Sequence, residues 1–108
     1  MAFYQKKPLI VEALEIPYKE YGEVNWVWDE VPQWLTDAYN DKTIDEVFRT
    51  EDYWYLIVRT LEGEMQGSPG DYLIRGIHGE LYVCDSEIFK ETYFRIDGIL
   101  KKWLIRER

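Results

Sequence analysis

Residues 60–93, with the sequence TLEGEMQGSPGDYLIRGIHGELYVCDSEIFKETY, constrain the fold more than any other part of this chain. They contain two turn signals, two stretches with the two-residue alternation of β-strands, and the start of a helix. Ser68-Pro69-Gly70-Asp71 is a turn signal because Pro presets φ at its second position and Gly accepts a positive φ at its third. His78-Gly79 is predicted to form a two-residue hairpin loop of the primed type, and Asp85 or Ser86 is predicted to cap the helix. The stretch therefore predicts a compact β-hairpin followed by a helix.

The rest of the chain supplies further strand and helix patterns around this unit. Residues 54–61, WYLIVRTL, give the strongest strand signal, and their nearly continuous apolar character indicates a central strand covered on both faces. In chain order, strands are predicted at 8–16, 43–50, 54–61, 64–66, 71–77 and 80–84, and helices at 29–40, 87–93 and 99–108. This order predicts one α+β domain over residues 1–108. It has an antiparallel sheet of about five to six strands and two or three short helices, including a C-terminal amphipathic helix.

Composition restricts the environment of the protein. The chain has 108 residues and is 46% hydrophobic, which suffices for a folded core. No run approaches the roughly 18 apolar residues that span a bilayer, and the N-terminus lacks a small-residue cleavage site. Neither a membrane partner nor a signal peptide is therefore expected. The single cysteine, Cys84, has no partner for an internal disulfide, which fits a reducing cytosol.

The net charge of −8 argues against binding of duplex nucleic acid, which requires a basic surface. Residues 29–52 carry eight acidic side chains against two basic ones, whereas residues 99–108 carry four basic side chains against one acidic one. The chain is thus acidic in its middle and basic at its end. A small anion held by a few local bases remains compatible with this distribution.

The sequence contains no catalytic or cofactor-binding motif of a known kind. Phosphate loops, zinc motifs, nucleophile elbows and dinucleotide fingerprints do not occur, and one His with one Cys excludes a multi-His or multi-Cys metal site. His78 and Cys84 flank one arm of the hairpin, but no orienting third group accompanies them, so a turn residue and a small apolar residue are the preferred interpretations. We expect no cofactor, no metal and no enzymatic activity.

Aromatic and basic residues together make a ligand-binding hypothesis. The chain has five Trp, nine Tyr and four Phe, which offer flat stacking surfaces, and a few bases that suit a phosphate. The competing interpretation is that the aromatic side chains fill the core and the bases face solvent. The candidate ligand-binding residues are Lys6, Lys7, Trp26, Trp28, Trp54, Arg75 and Tyr82.

A second hypothesis concerns protein partners. The acidic segment, represented by Asp45 and Glu46, is a candidate surface for a host protein, and the basic tail contributes Lys101, Lys102 and Trp103. The C-terminal helix has one apolar and one basic face. It docks on its own domain, on a second copy or on a partner, and the sequence leaves a homo-oligomer open.

Two stretches of the chain resemble a widespread family of small bacteriophage and prophage proteins of largely uncharacterised function. Residues 4–13, YQKKPLIVEA, are similar to the family's Y-R-K-K-P-V-V-V-E-A start. Residues 60–63 and 68–76, TLEG and SPGDYLIRG, are similar to T-L-E-G and S-P-G-D-Y-I-I-R-G. Gly79-Glu80 with Tyr82, then Ile88-Phe89 and Thr92-Tyr93, match G-E-x-Y-P-C and D-I-F-x-x-T-Y.

This chain departs from the family pattern at two prolines, since it has Val83 before the cysteine and Asp85-Ser86 where the family has Lys-Pro. The resemblance covers less than half of the chain and leaves residues 17–59 and 94–108 unmatched. It implies a phage origin and action in the cytoplasm of an infected bacterial host. It implies no catalytic residues.

Together these observations give three functional hypotheses. The first is a non-enzymatic phage accessory protein, acting in counter-defence, that binds and sequesters a small nucleotide-like signal. The second is an acidic inhibitor that binds a host protein and imitates the charge of DNA. The third is a minor virion or assembly protein.

Overall fold

The computed structural model describes residues 1–5, 7–18, 28, 30–50 and 53–96. Within these residues the chain forms six strands and two helices. In chain order they are β1 (Glu12–Glu15), α1 (Gln33–Asn40), β2 (Ile44–Phe48), β3 (Trp54–Thr60), β4 (Gly63–Gly67), β5 (Tyr72–Arg75), β6 (Leu81–Cys84) and α2 (Ser86–Thr92).

The strands form two antiparallel sheets of three strands each. Sheet A has the order β1-β5-β6, and sheet B has the order β2-β3-β4. The predicted α+β class and strand number are confirmed, and β3 is the central strand of its sheet, as its apolar run predicted. The division into two sheets is a further finding, because alternation identifies strands without specifying which strands pair.

Sheet A joins the two stretches of sequence that carry the family resemblance. Glu12 of β1 lies opposite Arg75 of β5, and Arg75 in turn lies opposite Leu81 of β6. Strands that are about 60 residues apart in the chain are thereby hydrogen-bonded neighbours.

The core lies between the inner faces of the two sheets and is closed by α1. Alternation places Leu73 on the inner face of sheet A and Leu56 and Val58 on the inner face of sheet B, and all three are fully buried. Leu35 and Ala38 are the buried residues of α1. The buried cluster consists of Ile16, Trp28, Leu35, Ala38, Ile44, Trp54, Leu56, Val58 and Leu73.

Gly67, the last residue of β4, lies where the two sheets approach each other closely. A Cβ atom at this position would lie 2.6 Å from Cδ1 of Ile16 and 3.2 Å from both Cγ atoms of Val83. Ile16 is fully buried and belongs to the core cluster, so it has little room to move aside. The two sheets can therefore pack this closely only because residue 67 has no side chain.

The Ser68–Asp71 turn carries the chain from sheet B to sheet A and is confirmed. The N–H of Asp71 donates to the carbonyl of Ser68 at 3.0 Å, and Gly70 has φ +92°, as a turn with Gly at its third position requires. The Asp71 carboxylate accepts the N–H of Ser68 at 3.0 Å and the N–H of Ser86, the first residue of α2, at 3.3 Å. One side chain thus connects the turn to the start of the last helix.

The N-cap of α2 is Asp85, one of the two predicted residues. Its carboxylate accepts the N–H groups of Glu87 at 2.9 Å and Ile88 at 3.2 Å. Together with the bond from Ser86 to Asp71, these contacts satisfy the first three N–H groups of the helix. Asp85 therefore caps the start of α2.

The predicted two-residue loop of the hairpin is wrong. The N–H of Gly76 donates to the carbonyl of Glu80 at 2.8 Å, and the N–H of Gly79 donates to the carbonyl of Gly76 at 3.0 Å, so three residues form the loop. Gly79 has φ +81°, whereas His78 is not among the residues with positive φ. A turn followed by one left-handed glycine is the usual form of a three-residue loop.

Two other elements begin four residues later than predicted, whereas the remaining boundaries differ by at most two residues. Helix α1 begins at Gln33 rather than residue 29, because the backbone of Pro32 is extended, with φ −65° and ψ 156°. Strand β1 covers Glu12–Glu15 instead of the predicted 8–16. The predicted C-terminal helix at 99–108 lies outside the described residues.

Substitution of Gly67 tests the contact between the sheets. We expect Gly67→Ala to lower the free energy of unfolding by about 1–3 kcal/mol, because the new methyl group overpacks the core against Ile16. Addition of Ile16→Val, which removes the Cδ1 atom that the new Cβ meets, should recover part of this loss. Urea denaturation measures both, and Gln66→Ala, at an exposed position of the same strand, is the control. Strict additivity of the two substitutions would contradict the proposed contact.

Substitution of Asp71 tests the bridge between the turn and α2. We expect Asp71→Ala to cost about 2 kcal/mol, because two backbone N–H groups lose their acceptor. Asp71→Asn keeps one amide oxygen as an acceptor and should lower the free energy of unfolding less than Asp71→Ala does. Thermal unfolding followed by circular dichroism gives the order of stability, with Glu62→Ala in the exposed turn after β3 as the control. Equal stability of the Ala and Asn variants would show that the side chain does not bridge the two N–H groups.

Candidate functional site

Trp28 and Trp54, two of the predicted stacking residues, lie in the core. Their exposed fractions are 7% and 3%. The indole N–H of Trp28 donates to the hydroxyl of Tyr39 at 3.2 Å, and the ring of Trp54 stacks on Phe48 with 5.9 Å between centroids. Both rings pack against the protein itself, which is the competing interpretation of the aromatic content.

The other candidate ligand-binding residues that the structure describes, Lys7, Arg75 and Tyr82, do not converge on one place. Arg75 shares the inner face of sheet A with Leu73, whereas Tyr82, opposite Ile74, belongs to the outer face. Lys7 is exposed and precedes β1. Lys6 and Trp26 lie outside the described residues.

Arg75 instead forms a cluster with two residues that the sequence did not single out. Its Nη1 donates to Oε1 of Glu12 at 3.3 Å, and the indole N–H of Trp34 donates to Oε2 of the same carboxylate at 2.9 Å. We call these three residues the Glu12 cluster. It joins β1, β5 and α1 at the end of the core.

The Glu12 cluster is partly open to solvent. The side chains of Arg75 and Glu12 are 39% and 59% exposed, and Trp34 is half-buried. At this exposure the ion pair contributes little to stability, about 0–1 kcal/mol. Its main effect is geometric, because one carboxylate holds a guanidinium and an indole on either side of it.

Arg75 makes fewer hydrogen bonds than Arg59, an arginine of β3. Arg59 bonds the carbonyl of Lys42 and the carboxylate of Asp45, each at 2.7 Å, and lies 3.9 Å from Glu64. Arg75 donates from Nη1 to Glu12, while its Nη2 lies beside Gly79 of the hairpin loop, 3.7 Å from where a Cβ there would be. A guanidinium has five N–H donors, so Arg75 keeps donors for an anion.

The outer face of sheet A is covered by aromatic rings of α2. Tyr72 stacks on Phe89 with 3.9 Å between centroids, and Phe89 stacks on Tyr93 at 4.9 Å. Burial, the neighbouring Tyr93 hydroxyl and the charge of Glu80 all raise the pKa of Tyr82 above its usual value. Tyr82 therefore lies beside Tyr93 on this face.

Asp45 and Glu46, the predicted partner-binding acids, point to opposite faces of β2. Asp45 forms its ion pair with Arg59 on the outer face of sheet B. Glu46 lies on the inner face, where burial and the charge of Glu46 raise the pKa of the Tyr39 hydroxyl. The other predicted partner-binding residues, Lys101, Lys102 and Trp103, lie outside the described residues.

His78 and Cys84 lie at opposite ends of the β5–β6 hairpin. His78 belongs to its loop, whereas Cys84 ends β6 opposite Tyr72. The length of β6 separates them by about 10 Å or more. Among the described residues, His, Cys, Asp and Glu side chains form no group of three or more that would hold a metal ion. Neither described helix has the length and apolar character needed to cross a bilayer.

A signal for the Glu12 cluster exists in the sequence, although it is weak alone. Side chains two residues apart in a strand point to the same face. Glu12 therefore shares a face with Leu14, and Arg75 shares a face with Leu73. A charged residue on each inward face indicates a pair at the end of the core, but only the pairing of β1 with β5 shows that the two charges meet.

No protein-family model, curated protein or solved structure matches this chain.

Variants of Glu12 test whether this carboxylate holds the cluster together. We expect Glu12→Ala to lower the free energy of unfolding by about 1 kcal/mol, since both Arg75 and the Trp34 indole lose their acceptor. Glu12→Gln retains an oxygen for the indole N–H but no charge, so its loss should be smaller. Urea denaturation followed by tryptophan fluorescence measures the series. Glu91→Ala, at an exposed position of α2, is the control, and an equal loss there would contradict the assignment.

Proposed function

We propose that this protein is a non-enzymatic phage accessory protein that binds and sequesters a small nucleotide-like signal. Arg75 contacts a phosphate group of the ligand, and Trp34 offers its ring to the base. The proposal keeps Arg75 from the predicted ligand-binding set and replaces the buried indoles with Trp34.

The observation that carries the proposal is the Glu12 cluster. Its carboxylate brings a guanidinium with spare donors to one side and a half-buried indole to the other. A guanidinium binds phosphate oxygens in two parallel bonds, and an indole stacks on any nucleobase. Both parts are attached to strands or a helix, so the site is arranged before the ligand arrives.

Glu12 also selects among ligands. Its negative charge repels an anion and competes with it for Arg75, so a bare phosphate gains little. A ligand that adds stacking on Trp34 to its phosphate contact overcomes this competition. The cluster therefore favours a nucleotide over inorganic phosphate.

The place of action follows from the family resemblance. A phage protein that sequesters a nucleotide-like signal would act in the cytoplasm of the infected host, as a counter-defence factor. The alternative function, an acidic inhibitor of a host protein, receives less support, because Asp45 and Glu46 lie on opposite faces of one strand.

Isothermal titration calorimetry with a cyclic dinucleotide, a cyclic mononucleotide and ADP-ribose tests the proposal. We expect at least one of these to bind, and Arg75→Ala to weaken that binding by about 10–100-fold, the effect of a charge-assisted hydrogen bond. Arg49→Ala is the matched control and should bind as the unaltered protein does, because Arg49 lies just after β2, away from the Glu12 cluster, and donates to the Tyr55 hydroxyl. Absence of heat with all three nucleotides would overturn the proposal.

Glu12→Gln gives a second test with an effect of opposite sign. Because it removes the competing charge and keeps an oxygen for the Trp34 indole, we expect tighter binding of the same nucleotide and a smaller preference over inorganic phosphate. Weaker binding by this variant would contradict the proposed competition between Glu12 and the ligand for Arg75.

A further inference from the structure

The segment before β1 exposes large apolar side chains. Leu9 is 47% exposed and Ile10 is 65% exposed, and further toward the N-terminus Phe3 and Tyr4 are 90% and 95% exposed. Apolar surface gathered in a short stretch of a folded chain commonly marks an interaction site. We call residues 7–15, which comprise Lys7 to Val11 and all of β1, the edge segment.

Strand β1, the second part of the edge segment, forms one border of sheet A. In the order β1-β5-β6, β1 pairs with β5 on one side, and no other described strand pairs with it. The opposite border of the sheet, β6, contacts β3 and β4 of sheet B. The backbone groups on the outer side of β1 are therefore a template for a further strand.

The parity of the backbone shows which residues face this free edge. The N–H of Ile16 donates to the carbonyl of Asp71 at 2.8 Å, and the carbonyl of Ile16 accepts from Gly70 at 2.8 Å, so Ile16 faces the β5 side. In a strand, N–H and C=O groups alternate between sides from one residue to the next. Odd-numbered residues of β1 consequently direct their backbone groups to the free edge, and Lys7, Leu9 and Val11 would do the same where the strand extends toward the N-terminus.

Pro8 fits this parity. Proline has no N–H to donate. Because Pro8 is an even-numbered residue, the missing donor would lie on the β5 side, so the free edge loses no donor there. The edge segment can thus extend as a strand from Lys7 to Glu15 and present its donors to a neighbour without a gap at proline.

We propose that two copies of this protein form a homodimer in which their edge segments pair antiparallel, with Val11 opposite Val11 of the second copy. In this register Leu9 lies opposite Ala13 of the second copy. Lys7 lies opposite Glu15 of the second copy, and the two-fold symmetry repeats each contact. The pairing joins the two copies of sheet A into one sheet of six strands.

The register follows from charge. Lys7 and Glu15 are exposed, lie equally far from Val11 and carry opposite charges. A shift of the centre to Glu12 would place two carboxylates opposite each other, which is destabilising across a strand pair. A shift to Ile10 would leave Lys7 opposite Ala13. Only the register centred on Val11 among these three pairs both charges, so the edge segment is complementary to itself.

Charge exchange within the edge segment tests the dimer. Sedimentation velocity on the full chain should show a dimer, and Lys7→Glu and Glu15→Lys should each raise its dissociation constant by about tenfold or more, because each replaces two ion pairs with two repulsive pairs. An equimolar mixture of the two variants restores both attractive pairs and should form a heterodimer. Added salt should weaken the unaltered dimer.

The control is Lys90→Glu, which changes the net charge as Lys7→Glu does but at an exposed position of α2. It should leave the dimer intact. A monomer at all concentrations of the unaltered chain would overturn the proposal. A dimer that tolerates both Lys7→Glu and Glu15→Lys would also overturn the proposal, since its interface would then lie outside the edge segment. These outcomes are independent of nucleotide binding, which calorimetry measures at Arg75.

Discussion

The close approach of the two sheets at Gly67 is the constraint on which the rest of the structure depends. Ile16, which follows β1, and Val83 of β6 occupy the space that a side chain at Gly67 would need. The Ser68–Asp71 turn follows at once and carries the chain from sheet B to sheet A, so the contact between sheets and the crossing between them occur at one place. Asp71 then bonds to the start of α2, which fixes the helix relative to the same crossing. Packing, topology and the position of the last helix are thereby set within five residues.

The local part of this arrangement was predictable from sequence, and the non-local part was not. Pro69-Gly70 specifies a turn through φ preferences that act within four residues, and the α2 cap depends on Asp85 and the two N–H groups that follow it. The number of strands follows from alternation in the same way. The loop at His78 was predicted wrongly, because a two-residue and a three-residue loop both place glycine in a positive φ, and only the Gly76–Glu80 pairing distinguishes them.

The candidate site shows the same limit. Trp28 and Trp54 have the composition of a stacking platform, but burial places them in the core. Aromatic content alone does not distinguish a ligand platform from core packing, because both use the same apolar surface. Arg75 is identifiable as a charge on an inward strand position, whereas its connection to Glu12 and Trp34 depends on β1 pairing with β5 across more than half of the chain. Long-range pairing is a property of the whole fold, so no window of sequence contains it.

The two carboxylates of β1, Glu12 and Glu15, lie on opposite faces of the strand and have different roles. Because alternate side chains point to opposite faces, Glu12 faces inward and holds Arg75 and Trp34, while Glu15 faces outward. In the proposed dimer Glu15 pairs with Lys7 of the second copy, and the strand that carries Glu12 gains a neighbour on its free side. A strand with two neighbours moves less than an edge strand, since its backbone groups are bonded on both sides. Dimerisation would then restrict the motion of Glu12. The arrangement of Arg75 and Trp34 around this carboxylate, which the nucleotide site requires, would be held more firmly.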